Sequence, residues 1–135
     1  MKMHLIHAAL CAGLACAASA NAQVVVVVNA ANPVSALTQE QISELYLGKS
    51  KDLTPIDQAK DSETQREFLE KVVSKKSPQY EAVWAKLEFS GKGIRPKTYP
   101  SDAAVKKALA ADRNAIGYID KSSVDGNVKV VHPQS

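Results

Sequence analysis

Five consecutive valines, VVVVV at residues 24–28, decide the fold class of this chain. No polar residue alternates with them, so both faces of the strand that they form are expected to be buried. A strand of this kind lies inside a sheet that helices cover on its two sides. The turn-forming residues NAANP at 29–33 end the strand. The run therefore predicts an α/β fold.

Four helices are predicted beyond this strand. The first begins with a capping box, TQEQ at residues 38–41, and runs to about residue 47. The second spans about residues 62–74, the third has Ser77 as its N-cap, and the fourth has Ser101 as its N-cap. Each carries apolar residues at helical spacing, so each is expected to cover the sheet.

Three further regions complete the expected architecture. Residues 53–58 contain Pro55 and are interpreted as a short edge strand. Residues 89–100 contain two glycines and two prolines and are interpreted as an irregular surface loop. Residues 115–119 and 128–131 are interpreted as the last two strands. Together these elements predict a central mixed sheet flanked by about four helices.

The first 22 residues have the features of a secretory signal peptide. Lys2 supplies the positive charge, residues 5–18 form the apolar middle, and Ala20-Asn21-Ala22 is a cleavage site of the A-x-A type. Residues 23–135 then form one periplasmic or secreted domain, a length that supports a single core.

Composition argues against several classes of protein. The formal net charge of +3 is too small for a nucleic-acid-binding field, and no apolar run reaches the roughly 18 residues of a membrane span. Both cysteines precede residue 23, and His132 is the single histidine after it, so neither a metal site nor a cofactor is expected. Because no nucleophile–base pair is evident, an enzyme is not expected either.

The start of the second helix is the candidate ligand site. Ser62 and Thr64 place two hydroxyl groups in its first turn, where the backbone amides have no partner within the helix. Hydroxyls and amides in this arrangement bind oxyanions such as phosphate. The alternative is that Ser62 only caps the helix, and the carboxylates of Asp61 and Glu63 would repel an anion. These residues alone favour the cap.

Two further groups have alternative interpretations. Lys92, Arg95 and Lys97 lie close together in the sequence and would attract an anion or an acidic partner, although a solvated basic loop is the simpler interpretation. Tyr80 and Trp84 would form a flat platform for a ligand, but their helical spacing is typical of core residues. Neither group by itself indicates a binding site.

Several motifs, in their order along the chain, resemble the phosphate-binding proteins of ABC transporters. They are LTQEQI at 37–42, YLGK at 46–49, PI at 55–56, T-x-x-x-F at 64–68, Trp84, FSG at 89–91, Pro96 and AIGYI at 115–119. The resemblance covers most of residues 23–135. It implies a single lobe of a type 2 periplasmic-binding-protein-like fold, whereas the family closes two α/β lobes over phosphate.

The family's ligand motif in this lobe reads approximately Arg-x-Asp-Gly-Ser-Gly-Thr. Placed on this sequence, it puts Ser62 and Thr64 on the hydroxyl positions, so the resemblance implies Ser62, Glu63 and Thr64 as the ligand-binding residues. Gln58 stands where the arginine is expected, which removes a bidentate cation. Glu63 replaces a glycine that allows the backbone to approach the anion closely.

Two hypotheses about function follow. The first is a secreted, non-enzymatic, solute-binding-like domain that binds phosphate or a similar oxyanion weakly and is related to phosphate transport. The second is an envelope interaction or adaptor module without a ligand. In that case the face that meets the second lobe in the family would dock a protein partner or a second copy of the chain.

Overall fold

The computed structural model describes residues 23–133, so the signal peptide predicted for residues 1–22 lies outside the described residues. The strands are β1 (Val24–Asn29), β2 (Thr54–Gln58), β3 (Lys97–Tyr99), β4 (Ala115–Asp120) and β5 (Val128–His132). The helices are α1 (Gln39–Tyr46), α2 (Glu63–Phe68), α3 (Ser77–Phe89) and α4 (Asp102–Ala111). A π-helical turn, Leu69–Val73, continues α2, and a short 3-10 turn, Lys121–Ser123, follows β4.

The strands form one mixed sheet in the order β3-β2-β4-β1-β5. β2 is parallel to β3 and β4, whereas β1 is antiparallel to β4 and β5. The carboxyl ends of β2, β3 and β4 therefore meet at one end of the sheet, called here the carboxyl end, together with the start of β1. The opposite end is called the amino end. This arrangement confirms the predicted α/β class with a central mixed sheet and four helices.

β1 is buried on both faces, as the valine run predicts. Val26 and Val28 belong to a core cluster shared with α1, α2 and α3, whereas Val25 and Val27 belong to a cluster shared with α4. None of these four side chains is more than 6% exposed. Helices therefore cover both faces of the sheet, which is the arrangement that an uninterrupted apolar strand requires.

Helix α1 begins with the predicted capping box. The Gln41 amide donates to Thr38 Oγ1 at 3.1 Å, and the Thr38 amide donates to Gln41 Oε1 at 2.8 Å. Helix α4 begins with its predicted cap as well, since the Ala104 amide donates to Ser101 Oγ at 3.1 Å. Both helices therefore start where the sequence places them.

The predicted N-cap of α3 is wrong by one residue. Lys76 occupies the N-cap position, and Ser77 is the first helical residue. The Ser77 hydroxyl does not cap the helix because it donates to Asp61 Oδ1 at 2.7 Å. A side chain that sequence spacing assigns to local capping thus joins α3 to the loop before α2.

The second predicted helix has a change of pitch. It begins after Ser62 as expected, but residues 69–73 form a π-helical turn, and Ser74 ends it in the left-handed region with a φ of 61°. The wider turn brings two adjacent apolar pairs onto the side that faces the core. These four buried residues are Phe68, Leu69, Val72 and Val73.

The prediction that residues 53–58 form an edge strand is wrong. β2 lies between β3 and β4. Pro55 is tolerated there because β3 begins opposite Ile56, one residue further along. No residue of β3 therefore lies where an amide at position 55 would donate a hydrogen bond.

The prediction of an irregular loop over residues 89–100 is also partly wrong. Phe89 is the last residue of α3, and Lys97–Tyr99 form the edge strand β3. A segment of three residues is too short to show a clear alternation of apolar and polar side chains, so this strand depends on pairing with β2.

Among residues 23–133, no helix has the length and apolar character that a membrane span needs.

Candidate functional site

The predicted site residues lie at the carboxyl end of the sheet, where the loop after β2 leads into α2. Ser62 is the N-cap, and the Gln65 amide donates to its Oγ at 3.2 Å. Thr64 is half-buried, and its hydroxyl has no hydrogen bond to any other described residue, whereas Glu63 is exposed. The capping role of Ser62 is therefore present, and it leaves the Ser62 hydroxyl proton available for a second partner.

The loop before Ser62 is held by its own side chains. Asp61 has a φ of 64°, a conformation that aspartate tolerates better than most residues. Its amide donates to Gln65 Oε1 at 2.8 Å, and its carbonyl accepts from Arg66 Nη1 at 2.7 Å. The guanidinium of Arg66 is thus directed to the loop backbone, and the Asp61 carboxylate accepts from the Ser77 hydroxyl at the start of α3.

A buried carboxylate, Asp57, lies near the end of β2 and is 3% exposed. Its Oδ2 accepts from the Tyr80 hydroxyl at 2.8 Å, and its Oδ1 accepts from the Tyr118 hydroxyl. The Gln58 amide donates to Oδ1 at 2.9 Å, and Gln65 Nε2 lies 3.4 Å from the same atom. Asp57 therefore joins β2 to α2, α3 and β4 with no basic side chain among its partners.

Burial shifts the ionisation of this group. Desolvation raises the pKa of Asp57 above its ordinary value, and the hydrogen bonds from Tyr118 and Tyr80 offset part of that rise. Desolvation and the neighbouring Asp57 also raise the pKa of Tyr80 and of Tyr118, so both hydroxyls stay protonated and act as donors. We interpret Asp57 as a structural acceptor, because it is 3% exposed and the hydroxyls of two buried tyrosines from different elements donate to its two oxygens.

A second carboxylate, Asp102, accepts three hydrogen bonds at the same end of the sheet. Gln58 Nε2 donates to its Oδ1 at 2.8 Å. The Asp120 amide at 3.1 Å and the Ser123 hydroxyl at 2.7 Å donate to its Oδ2. Gln58, which stands at the arginine position of the family motif, is thus 4% exposed and directed inward.

The structure separates the three predicted basic residues. Arg95 binds Glu81 at 2.7 Å and Glu88 at 3.1 Å, so its charge is matched within the chain. Lys97 lies 5.8 Å from the centre of the Tyr99 ring. Lys92 is exposed and has no ion pair with another described residue. Tyr80 and Trp84 are both core residues, 2% and 3% exposed, as their spacing indicates.

The carboxylates of Asp57, Asp61 and Asp102 at the carboxyl end each accept a hydrogen bond from a hydroxyl group of the chain. No buried side-chain nitrogen or oxygen of residues 23–133 lacks a hydrogen-bond partner, and no cluster of acidic, histidine or cysteine side chains in this range has the arrangement of a metal site. Sequence reasoning missed Asp57 and Asp102 because an aspartate in a short strand and an aspartate in the first turn of a helix are both ordinarily exposed. The two tyrosines that bind Asp57 were identifiable from the sequence only as apolar core positions.

The chain is similar to known proteins in its three-dimensional structure, whereas the sequence comparisons find no match. No protein-family model and no characterised protein sequence matches the chain. Its fold is similar to a substrate-binding protein of the phosphate ABC transporter type from Clostridium perfringens, solved with bound phosphate, at 22% identity and a TM-score of 0.63 over 82% of this chain. It is also similar to an ABC-type phosphate transport receptor from Vibrio cholerae, at 23% identity and a TM-score of 0.60 over 82% of this chain.

A third similar structure is PstS from Borrelia burgdorferi, at 13% identity and a TM-score of 0.59 over 84% of this chain. The chain spans less than half of the length of these proteins, since the matches cover 44%, 45% and 49% of them. The expected likeness is thereby confirmed at the level of the fold: the chain has the architecture of a single lobe of the type 2 periplasmic-binding-protein-like fold, similar to a part of each of these phosphate-transport proteins.

Proposed function

We propose that the chain is a non-enzymatic, solute-binding-like protein of the periplasm or the extracellular space that binds phosphate or a similar oxyanion weakly. The observation that carries the proposal is that Thr64 and Ser62 retain free hydroxyl protons at the start of α2, within a fold shared with phosphate-binding proteins. The Glu63 and Thr64 amides also have no backbone acceptor among the described residues. These groups are the donors that the anion would use.

The affinity is expected to be low, in the millimolar range, which corresponds to about −4 kcal/mol. Gln58 is buried and supplies no cation, and Arg66 donates to the Asp61 carbonyl. The carboxylates of Asp61 and Glu63 add repulsion. An exposed half-site also gains less from each hydrogen bond because water competes for every donor.

Replacing Thr64 by valine is expected to weaken phosphate binding about fivefold. Valine has nearly the same shape and removes only the hydroxyl, whereas a change of Ser62 would also remove the helix cap. The measurement is a titration of the ¹⁵N-labelled protein with phosphate, and separately with sulfate, at low ionic strength. Thr98→Val, on the exposed edge strand β3, is the matched control and should bind like the wild type.

The decisive result is the behaviour of the amides at the start of α2. Saturable shifts of the Glu63 and Thr64 amides in the wild type, reduced in Thr64→Val, would support the proposal. Absence of saturation at tens of millimolar phosphate would exclude it. Equal affinity of the Thr64→Val and Thr98→Val variants would place any binding elsewhere on the chain.

Replacing Glu63 by glutamine is expected to strengthen oxyanion binding about fivefold. Removing one negative charge roughly 5 Å from the anion changes the Coulomb energy by about 1 kcal/mol in a solvent-like dielectric. Glu70→Gln is the matched control, because this exposed glutamate lies at the other end of the same helical segment. The same titration measures both variants, and an unchanged affinity of Glu63→Gln would argue against an anion beside residue 63.

An envelope interaction or adaptor module is the second candidate, and one observation favours it. Asp102 gathers three donors from other parts of the carboxyl end, so a side chain of the protein already occupies groups that an anion would otherwise bind. Such a protein would dock a partner or a second copy without a ligand. Light scattering and crosslinking test this candidate, and a strictly monomeric protein with no crosslinked partner would count against it.

A further inference from the structure

The residue that precedes β1 is anchored at the carboxyl end of the sheet. The Gln23 amide donates to Asp120 Oδ1 at 3.1 Å, and the Gln23 carbonyl accepts from the Lys121 amide at 2.7 Å. Val24, the first residue of β1, lies opposite Asp120 in β4, so these two bonds extend the pairing of the strands by one residue. The backbone nitrogen of Gln23 therefore has a defined position beside a carboxylate.

The carboxylate of Asp120 is also held from its other side. Its Oδ2 accepts from the Ser122 amide at 2.9 Å and from the Ser122 hydroxyl. The two bonds from Ser122 hold the pKa of Asp120 below its ordinary value, and the bond from the Gln23 amide adds to this effect. Asp120 is therefore ionised at neutral pH, with Oδ1 directed to the backbone nitrogen of Gln23.

The charge of Asp120 is not matched by a described side chain. A second carboxylate beside β1, that of Glu67, lies 3.1 Å from the ammonium group of Lys71, which matches its charge. Asp120 forms no ion pair with another residue of 23–133, and neither does the exposed Lys121 that follows it. His132 on the neighbouring strand β5 forms no ion pair in this range either. A cation at the backbone nitrogen of Gln23 would therefore meet an unmatched carboxylate at hydrogen-bonding distance.

Cleavage of the predicted signal peptide would place such a cation there. Ala20-Asn21-Ala22 predicts cleavage before Gln23, and this reaction converts the peptide nitrogen of Gln23 into an α-amino group. Free α-amino groups have a pKa of about 7.7–8.0, so most of them are protonated at pH 7. We propose that the processed protein begins at Gln23, whose α-ammonium group pairs with Asp120, and that this pair slows the cyclisation of Gln23 to pyroglutamate. The pairing requires removal of residues 1–22 and does not depend on oxyanion binding.

Cyclisation uses atoms of the terminal residue alone. The uncharged α-amine attacks the side-chain carbonyl carbon Cδ, so that an N–Cδ bond forms and the Cδ–Nε2 bond breaks. One proton of the α-amine leaves with the side-chain nitrogen, which departs as ammonia. The Gln23 side chain is exposed and has no hydrogen bond to another described residue, so it is free to react. Because the ammonium form has no lone pair, a neighbouring carboxylate that favours this form lowers the reactive fraction.

The test begins with the full chain, produced in a bacterial host that exports it. The mass of the purified protein should correspond to residues 23–135. The protein is then incubated at pH 7, and the loss of ammonia from its N-terminal peptide is followed by mass spectrometry. Asp120→Asn keeps the shape of the side chain and removes its charge, so this variant should cyclise about threefold faster than the wild type. Salt at about 1 M should screen the pair and bring the wild-type rate close to that of the variant.

Asp52→Asn is the matched control. Asp52 is an exposed carboxylate at the amino end of the sheet and forms no ion pair with another described residue, so its replacement should leave the rate of cyclisation at the wild-type value. A purified protein that begins at any other residue would overturn the proposal, as would equal rates in the wild type and Asp120→Asn. Equal acceleration by the two aspartate variants would also overturn it, because the net charge of the protein would then control the reaction.

Discussion

Replacing Asp57 by alanine is expected to lower the free energy of unfolding by about 3–5 kcal/mol. The change removes the acceptor of the Tyr80 and Tyr118 hydroxyls and leaves two buried donors on different elements without a partner. It also opens a small cavity between β2 and α3. Urea unfolding followed by circular dichroism measures the loss, and a decrease below about 1 kcal/mol would show that the hydroxyls find other acceptors.

Asp57→Asn is the control that separates shape from charge. Burial raises the folded-state pKa of Asp57, so the folded protein binds the proton more tightly than the unfolded chain. The resulting stabilisation is present in full below the unfolded pKa of about 3.9 and is lost as the pH rises through the folded pKa. The wild type should therefore lose stability relative to Asp57→Asn as the pH rises from about 4. A difference that grows in the opposite direction would show that the ionised carboxylate is the preferred form.

The elements that the sequence predicted correctly are those with local physical causes. The valines of β1 need two apolar environments, and Thr38 and Ser101 cap the helices that directly follow them. Such signals act over a few residues, so they do not depend on distant parts of the chain. This is why β1 and the starts of α1 and α4 agree with the structure.

The elements that sequence reasoning missed depend on pairing across the fold. β3 is too short to show a pattern, and Pro55 indicates an edge strand although β2 lies inside the sheet. Ser77 has the chemistry of a cap, but a loop residue sixteen positions away takes its hydroxyl. In each case a partner distant in sequence decides the outcome.

The candidate site also contains one feature with a local cause and others that depend on residues distant in sequence. The cap at Ser62 follows from the spacing of Ser62 and Gln65, and the structure contains it. The inward direction of Gln58 follows from Asp102, which lies 44 residues further along. A single aspartate in a short strand gives no local sign that it will be buried, so Asp57 was not identifiable before its tyrosine partners were placed beside it.

Replacing Gly117 by valine is expected to lower the free energy of unfolding by about 2–3 kcal/mol. Gly117 lies in the middle of β4, and a Cβ at this position would be 2.8 Å from Val105 Cγ1 and 3.1 Å from Ile56 Cγ1. Val105 is fully buried on α4 and its branched side chain has few alternative rotamers, so the helix itself must move outward. The AIGYI motif therefore uses glycine to seat α4 closely on the sheet.

A second change at the contact tests this explanation directly. Val105→Ala removes the methyl group that the new side chain meets, so the double variant Gly117→Val with Val105→Ala should be more stable than the sum of the two single losses by about 1 kcal/mol or more. The four proteins of this cycle are compared by thermal and urea unfolding. Additive losses would mean that the valine at position 117 does not clash with Val105. Gly117 would then be required for a reason other than the close approach of α4.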